Sequence, residues 1–107
     1  MANNPQSQTV LIINADGQAN FLLERIVNSM GFVVEISTTL QNIKQFFAPS
    51  PPVLVIISQQ FALENDFAWV KETRQLYPLL PIVAYTTIIN PQDLINTLRI
   101  GINAFLS

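Results

Sequence analysis

Apolar residues in this chain alternate between short unbroken runs and longer segments where they recur every three or four positions. Val10-Leu11-Ile12-Ile13, within Thr9–Asn14, is too short for a helix and predicts a strand buried on both faces. Leu22, Leu23, Ile26, Val27 and Met30 then recur at helical spacing, with Gly31 as the stop. Phe32–Ile36 is β-branched and apolar and predicts a second strand. Leu40, Ile43, Phe46 and Phe47 mark a shorter helix ending before the rigid connector Pro49-Ser50-Pro51-Pro52.

Val53–Ile57 is the most hydrophobic run and predicts the central strand. A Gln59-Gln60 loop leads to a helix around Asp66–Tyr77, closed by Pro78 and Pro81. Pro81–Thr86 predicts a fourth strand. Asn90-Pro91-Gln92-Asp93 starts the next helix, with an Asn cap, proline at the first helical position and an acid three residues after the cap. Leu94, Ile95, Leu98 and Ile102 are its expected buried side, Gly101 its stop, and Asn103–Ser107 a last strand.

This alternation of strands and helices predicts an α/β fold, a doubly wound five-stranded parallel sheet with right-handed crossovers. Residues 1–8 read as a disordered leader and 9–107 as one domain. Four crossover helices leave one sheet face thinly covered. The domain is therefore expected to be cut short before its last helix, which would follow Ser107.

Three of the predicted strands end in polar residues that are not carboxylates: Asn14-Ala15, Ser58 and Thr86. In open α/β sheets the carboxyl ends of the strands are where ligands bind. Composition narrows what chemistry those ends could do. The chain has no cysteine and no histidine, which removes thiolate metal sites, the commonest general base and the Ser-His and Cys-His pairs. Only 11% of residues are charged, the net charge is −2 and no basic run exists, so no nucleic-acid footprint is present. Lys71 and Arg74 share a segment with Glu64, Asp66 and Glu72, which predicts a mixed-charge solvated face. Asn and Gln together supply 19 of 107 residues; they replace surface charge and so favour association. No signal-peptide layout and no apolar run of membrane-spanning length occurs, so a cytoplasmic protein without membrane contact is expected. The three glycines, Gly17, Gly31 and Gly101, write neither a dinucleotide fingerprint nor a P-loop. A flavin-type phosphate site is a poor fit too, because the loop after the first strand offers one glycine beside Asp16.

Five blocks in order resemble the receiver domain of two-component response regulators. Val10–Asp16 is similar to its first strand and acidic pair, and Leu22-Leu23 with Met30-Gly31-Phe32 to its first helix. Pro52–Ser58 is similar to the third strand, Pro81–Thr87 to the fourth, and Gly101–Ser107 to the segment carrying the switch aromatic. The resemblance implies the flavodoxin-like strand order 2-1-3-4-5. It also implies that Asn14 and Ala15 stand where the magnesium-binding acids would be, and Ser58 where the phosphoacceptor aspartate would be. Thr86 and Phe105 match the switch pair, and Asp16 is the nearby acid. The family's lysine would fall just after Ser107.

Magnesium prefers hard oxygen ligands, usually including carboxylates. Alanine supplies none, and a serine hydroxyl without an adjacent base is a weak nucleophile. The expectation is a degenerate pseudo-receiver: no enzyme, no metal, no cofactor, and signalling by protein–protein contacts with a partner or effector domain. By the same resemblance, self-association is expected through residues 94–105. The alternative is a phosphoryl-accepting receiver with an atypical acidic site using Asp16. Trp69 is expected to pack between surface and core on the helix after the third strand.

Overall fold

The computed structural model describes residues 8–86 and 91–106. Most of the leader, Thr87, the Asn90 cap and Ser107 lie outside the described residues, as do the side chains of Asp93 and Leu94.

Strands β1 (Thr9–Ile13), β2 (Val33–Ser37), β3 (Leu54–Ser58), β4 (Ile82–Tyr85) and β5 (Ala104–Leu106) form one sheet in the order β2-β1-β3-β4-β5. Every pairing is parallel, with Leu11 opposite Val55, Ile57 opposite Ala84 and Ala84 opposite Phe105. Apolar runs with no polar alternation suit β1 and β3, which have sheet on both edges and side chains packed on both faces. Helices α1 (Gly17–Ser29), α2 (Gln59–Leu76) and α3 (Pro91–Arg99) and a 3₁₀ turn at Ile43–Phe47 make the connections.

Because side chains alternate across a strand, the central strands feed two separate cores. Leu11, Ile13, Val55, Ile57, Ile82 and Ala84 pack with Ile43 and with Ala62, Phe67 and Val70 of α2. Val10, Ile12 and Ile56 pack on the other face against Leu23 and Val27 of α1. In that second cluster every helical residue comes from α1.

Several local expectations change. The segment around Leu40–Phe47 closes as a five-residue 3₁₀ turn, because the proline connector leaves no room to propagate an α-helix. In α1 the buried stripe is Ala19, Asn20, Leu23 and Val27, while Leu22, Ile26 and Met30 are exposed. The sheet packs against the stripe that carries Leu23 and Val27, and the flank one residue earlier is left exposed. Gln59 and Gln60 are helical, and α2 is interrupted at Glu64–Phe67, where Asn65, Asp66 and Phe67 take positive φ. Asn and Asp tolerate this conformation; for Phe67 it costs about 1–2 kcal/mol. Burial of the Phe67 ring in the larger core offsets that cost.

In α3, Ile95 and Leu98 are exposed, and Thr97 is fully buried in their place. Arg74 leaves the solvated face on which the charge pattern put it. Its guanidinium donates to the carbonyls of Tyr77, Pro78, Leu80 and Gly101 and to Asn103 Oδ1, tying the end of α2 to the turn before β5. Lys71 and Asp66 do form an exposed pair at 3.2 Å. Trp69 is half-buried against the larger core and edge-on to Phe47.

Candidate functional site

The strand order reverses at β1, which sends the chain to β2 on one side and to β3 on the other. Ligands of open α/β sheets bind at such a switch point, outside the carboxyl ends of the strands. An open cleft of about 460 Å³ lies there, lined by Asn14, Asp16, Ser58, Gln59, Gln60, Leu63, Tyr85 and Thr86. Four of the residues singled out in the sequence, Asn14, Asp16, Ser58 and Thr86, thus share one cleft. Ala15 is exposed but does not line it. Phe105 lies on β5, half-buried against the larger core, and does not reach the cleft either.

Asn14 follows β1 directly and is 6% exposed. Its backbone N–H donates to the Ser37 carbonyl at 3.0 Å, which extends the β1–β2 ladder past the strand end. Its side-chain Nδ2 donates to Asn20 Oδ1 at 3.1 Å, and Asn20 Nδ2 returns a bond to the Asn14 carbonyl at 2.7 Å. Asn20, 3% exposed, was not among the sequence candidates. One signal was available: residues 20, 23 and 27 share a helical face, so an amide there had to be buried and partnered.

Asp16 is the N-cap of α1. Its Oδ1 accepts from the backbone N–H groups of Gln18 at 3.0 Å and Ala19 at 3.4 Å, satisfying donors that the helix leaves free. Ser58 plays the same part for α2: its hydroxyl oxygen accepts from Phe61 N–H at 3.2 Å. Both helices therefore begin at this cleft with a side chain already bonded to their first turn. Thr86 holds the end of β4 to β5 through its backbone N–H, which donates to Leu106 at 3.0 Å.

Gln59 is the other residue that sequence reading missed. It is 8% exposed, and its side-chain Nε2 is buried without a hydrogen-bond partner. Its place next to Ser58, read as loop, gave no sign of burial. As for metals, no group of three or more acidic, histidine or cysteine side chains is clustered for an ion among the described residues. Among the described residues Asp16 is the only carboxylate on the cleft wall. The Asn14 amide is turned to Asn20 and Ala15 offers no donor atom, so this set does not fit a magnesium–phosphate centre of the receiver kind.

Neither a protein-family model nor a curated protein sequence matches the chain. Solved structures do. A response regulator from Thermotoga maritima superposes with a TM-score of 0.82 at 16% identity, over 94% of this chain and 84% of that one. A putative response regulator from Chloroflexus aurantiacus gives 0.81 at 22% identity, over 94% and 84%. The chemotaxis protein CheY4 of Vibrio cholerae gives 0.80 at 17% identity, over 94% and 86%. The chain has the receiver fold of two-component response regulators. At these identities the likeness concerns the fold alone, and the receiver-fold cleft must be read from its own side chains. No helix among the described residues is long and apolar enough to cross a membrane.

Proposed function

We propose that this receiver-fold domain is a pseudo-receiver, which signals through protein contacts without accepting a phosphoryl group. The observation that carries the reading is the Asn14–Asn20 pair: the amide at the acid-equivalent position donates to Asn20 Oδ1, and Asn20 Nδ2 donates back to the Asn14 backbone carbonyl. Ser58, at the phosphoacceptor-equivalent position, caps α2 and has no histidine anywhere in the chain to act as its base. Among the described residues of the cleft, magnesium has a single carboxylate to bind, and that one caps α1.

Output by contact is supported by the α3–β5 side, where Ile95, Leu98 and Leu106 are exposed apolar residues on a weakly charged chain. Ile95 and Leu98 lie within the 94–105 region expected from the sequence and Leu106 directly follows it; the occupant would be an effector domain or a second copy.

The test is incubation with Mg²⁺ and acetyl phosphate, followed by intact-mass measurement and ¹H–¹⁵N correlation spectra. The mass and the signals of Asn14, Asp16 and Ser58 are expected to stay unchanged. A stable phosphoprotein would sink the reading. A second reading, phosphorylation at an atypical acid, is favoured by the position of Asp16 on the cleft wall. It requires magnesium-dependent shifts at Asp16 and a phosphoryl adduct lost in Asp16→Asn.

A further inference from the structure

Between the 3₁₀ turn and α2 lies a second cleft, of about 260 Å³, far more apolar than the one at the strand ends. Its origin is a mismatch of lengths. Five residues of 3₁₀ helix reach about 10 Å, while the part of α2 beyond its interruption, from Ala68 to Leu76, reaches about 14 Å. The last turn of α2 therefore overhangs ground that the shorter element does not cover. Ile43, Phe47, Trp69, Thr73, Leu76 and Tyr77 line the gap.

The walls have a definite chemistry. Phe47 lies edge-on to Trp69, with centroids 6.4 Å apart and planes at 63°, and is tilted against Tyr77 at 5.1 Å. The three rings present a continuous half-buried aromatic surface, of the kind that takes another ring edge-on or offset. Thr73, on a buried turn of α2, puts a hydroxyl-bearing side chain into the same wall. At the mouth Lys44 and Glu72 face each other at 3.9 Å, so their charges cancel locally and recruit neither a cation nor an anion. The volume is below the ~300–1,000 Å³ of pockets for drug-sized ligands, which limits an occupant to one or two rings.

We propose that this cleft binds an uncharged aromatic molecule of one or two rings carrying a single hydroxyl. The rings would stack on Phe47, Trp69 and Tyr77, and the hydroxyl would reach Thr73 or the Lys44–Glu72 pair. The site is separate from the strand-end cleft, so it stands or falls independently of whether Ser58 or Asp16 accepts phosphate.

Titration of the full chain with 2-naphthol, followed by ¹H–¹⁵N correlation spectra, tests this. Saturable shifts are expected at the Trp69 indole N–H and the Thr73 amide, with a dissociation constant on the order of 0.1–1 mM for so small a probe. Leu76→Glu, at an exposed position on the lip, should weaken binding roughly tenfold by setting a charge against the apolar probe while leaving thermal unfolding unchanged. Shifts that spread over the surface without saturating would overturn the proposal. So would equally tight binding of the anion 2-naphthoate, or movement of the same signals on simple dilution, which would make a second copy the occupant.

Discussion

Asn14 and Asn20 hold each other at the end of β1: each side-chain Nδ2 donates, one to Asn20 Oδ1 and the other to the Asn14 carbonyl. Both residues are buried, so neither amide has water as an alternative partner. Asn20→Ala should cost about 1–3 kcal/mol by stranding the Asn14 amide. In a domain of this size that lowers Tm by roughly 4–8 °C per kcal/mol, measurable by calorimetry. An unchanged Tm would show that water reaches the pair.

Asn14→Asp puts an acid back at the position that a receiver would use. A carboxylate cannot donate to Asn20 Oδ1, and turning the Asn20 amide to meet it gives up the bond to the Asn14 carbonyl. The variant should lose about 1–3 kcal/mol and gain no tight magnesium site, because Ala15 and Ser58 are unchanged. Urea unfolding with and without Mg²⁺ measures both effects. Strong stabilisation by the metal would contradict the geometry described for Asn14.

Ser58 is worth a helix cap. Ser58→Ala removes the acceptor for Phe61 N–H and should cost about 1 kcal/mol, whereas Ser58→Asp keeps a capping oxygen and should cost less. Equilibrium unfolding of the pair ranks them. If Ala and Asp come out in the opposite order, capping is not the role of this hydroxyl.

Gln59→Leu should leave stability unchanged or raise it, since the buried Nε2 has no partner to lose. A loss above about 1 kcal/mol would mean that the amide is bonded in solution, for example to an ordered water.

Arg74 and Gly101 form one joint. Arg74→Met leaves the carbonyls of Tyr77, Leu80 and Gly101 without their common donor and should cost about 2–3 kcal/mol. Hydrogen exchange should then rise most in α3 and β5. Gly101→Ala should act at the same place, because φ is +113° and the new Cβ would lie 3.1 Å from Arg74 Nε. Exchange that rises evenly over the whole sheet would argue against a local joint.

Strand identity was legible along the chain because β1 and β3 are buried on both faces, and only an unbroken apolar run satisfies that environment. Helix termini were less legible. The acid read as a bystander to a metal site, Asp16, is a cap, and so is Ser58, because both functions use the same short polar side chains at strand ends. Which stripe of α1 is buried also escaped the pattern. Leu22, Ile26 and Met30 are as apolar as Leu23 and Val27, and only contact with the sheet separates them.

By itself, then, the sequence determined the alternation of strands and helices and the absence of acids at Asn14, Ala15 and Ser58. Both are local facts, written in periodicity and residue type. Tertiary structure alone decided that the Asn14 amide is turned to Asn20, that Arg74 turns inward, and that a short 3₁₀ turn leaves an aromatic cleft open beside α2. Each of these depends on the distance between residues far apart in the chain, and no local pattern encodes such a distance.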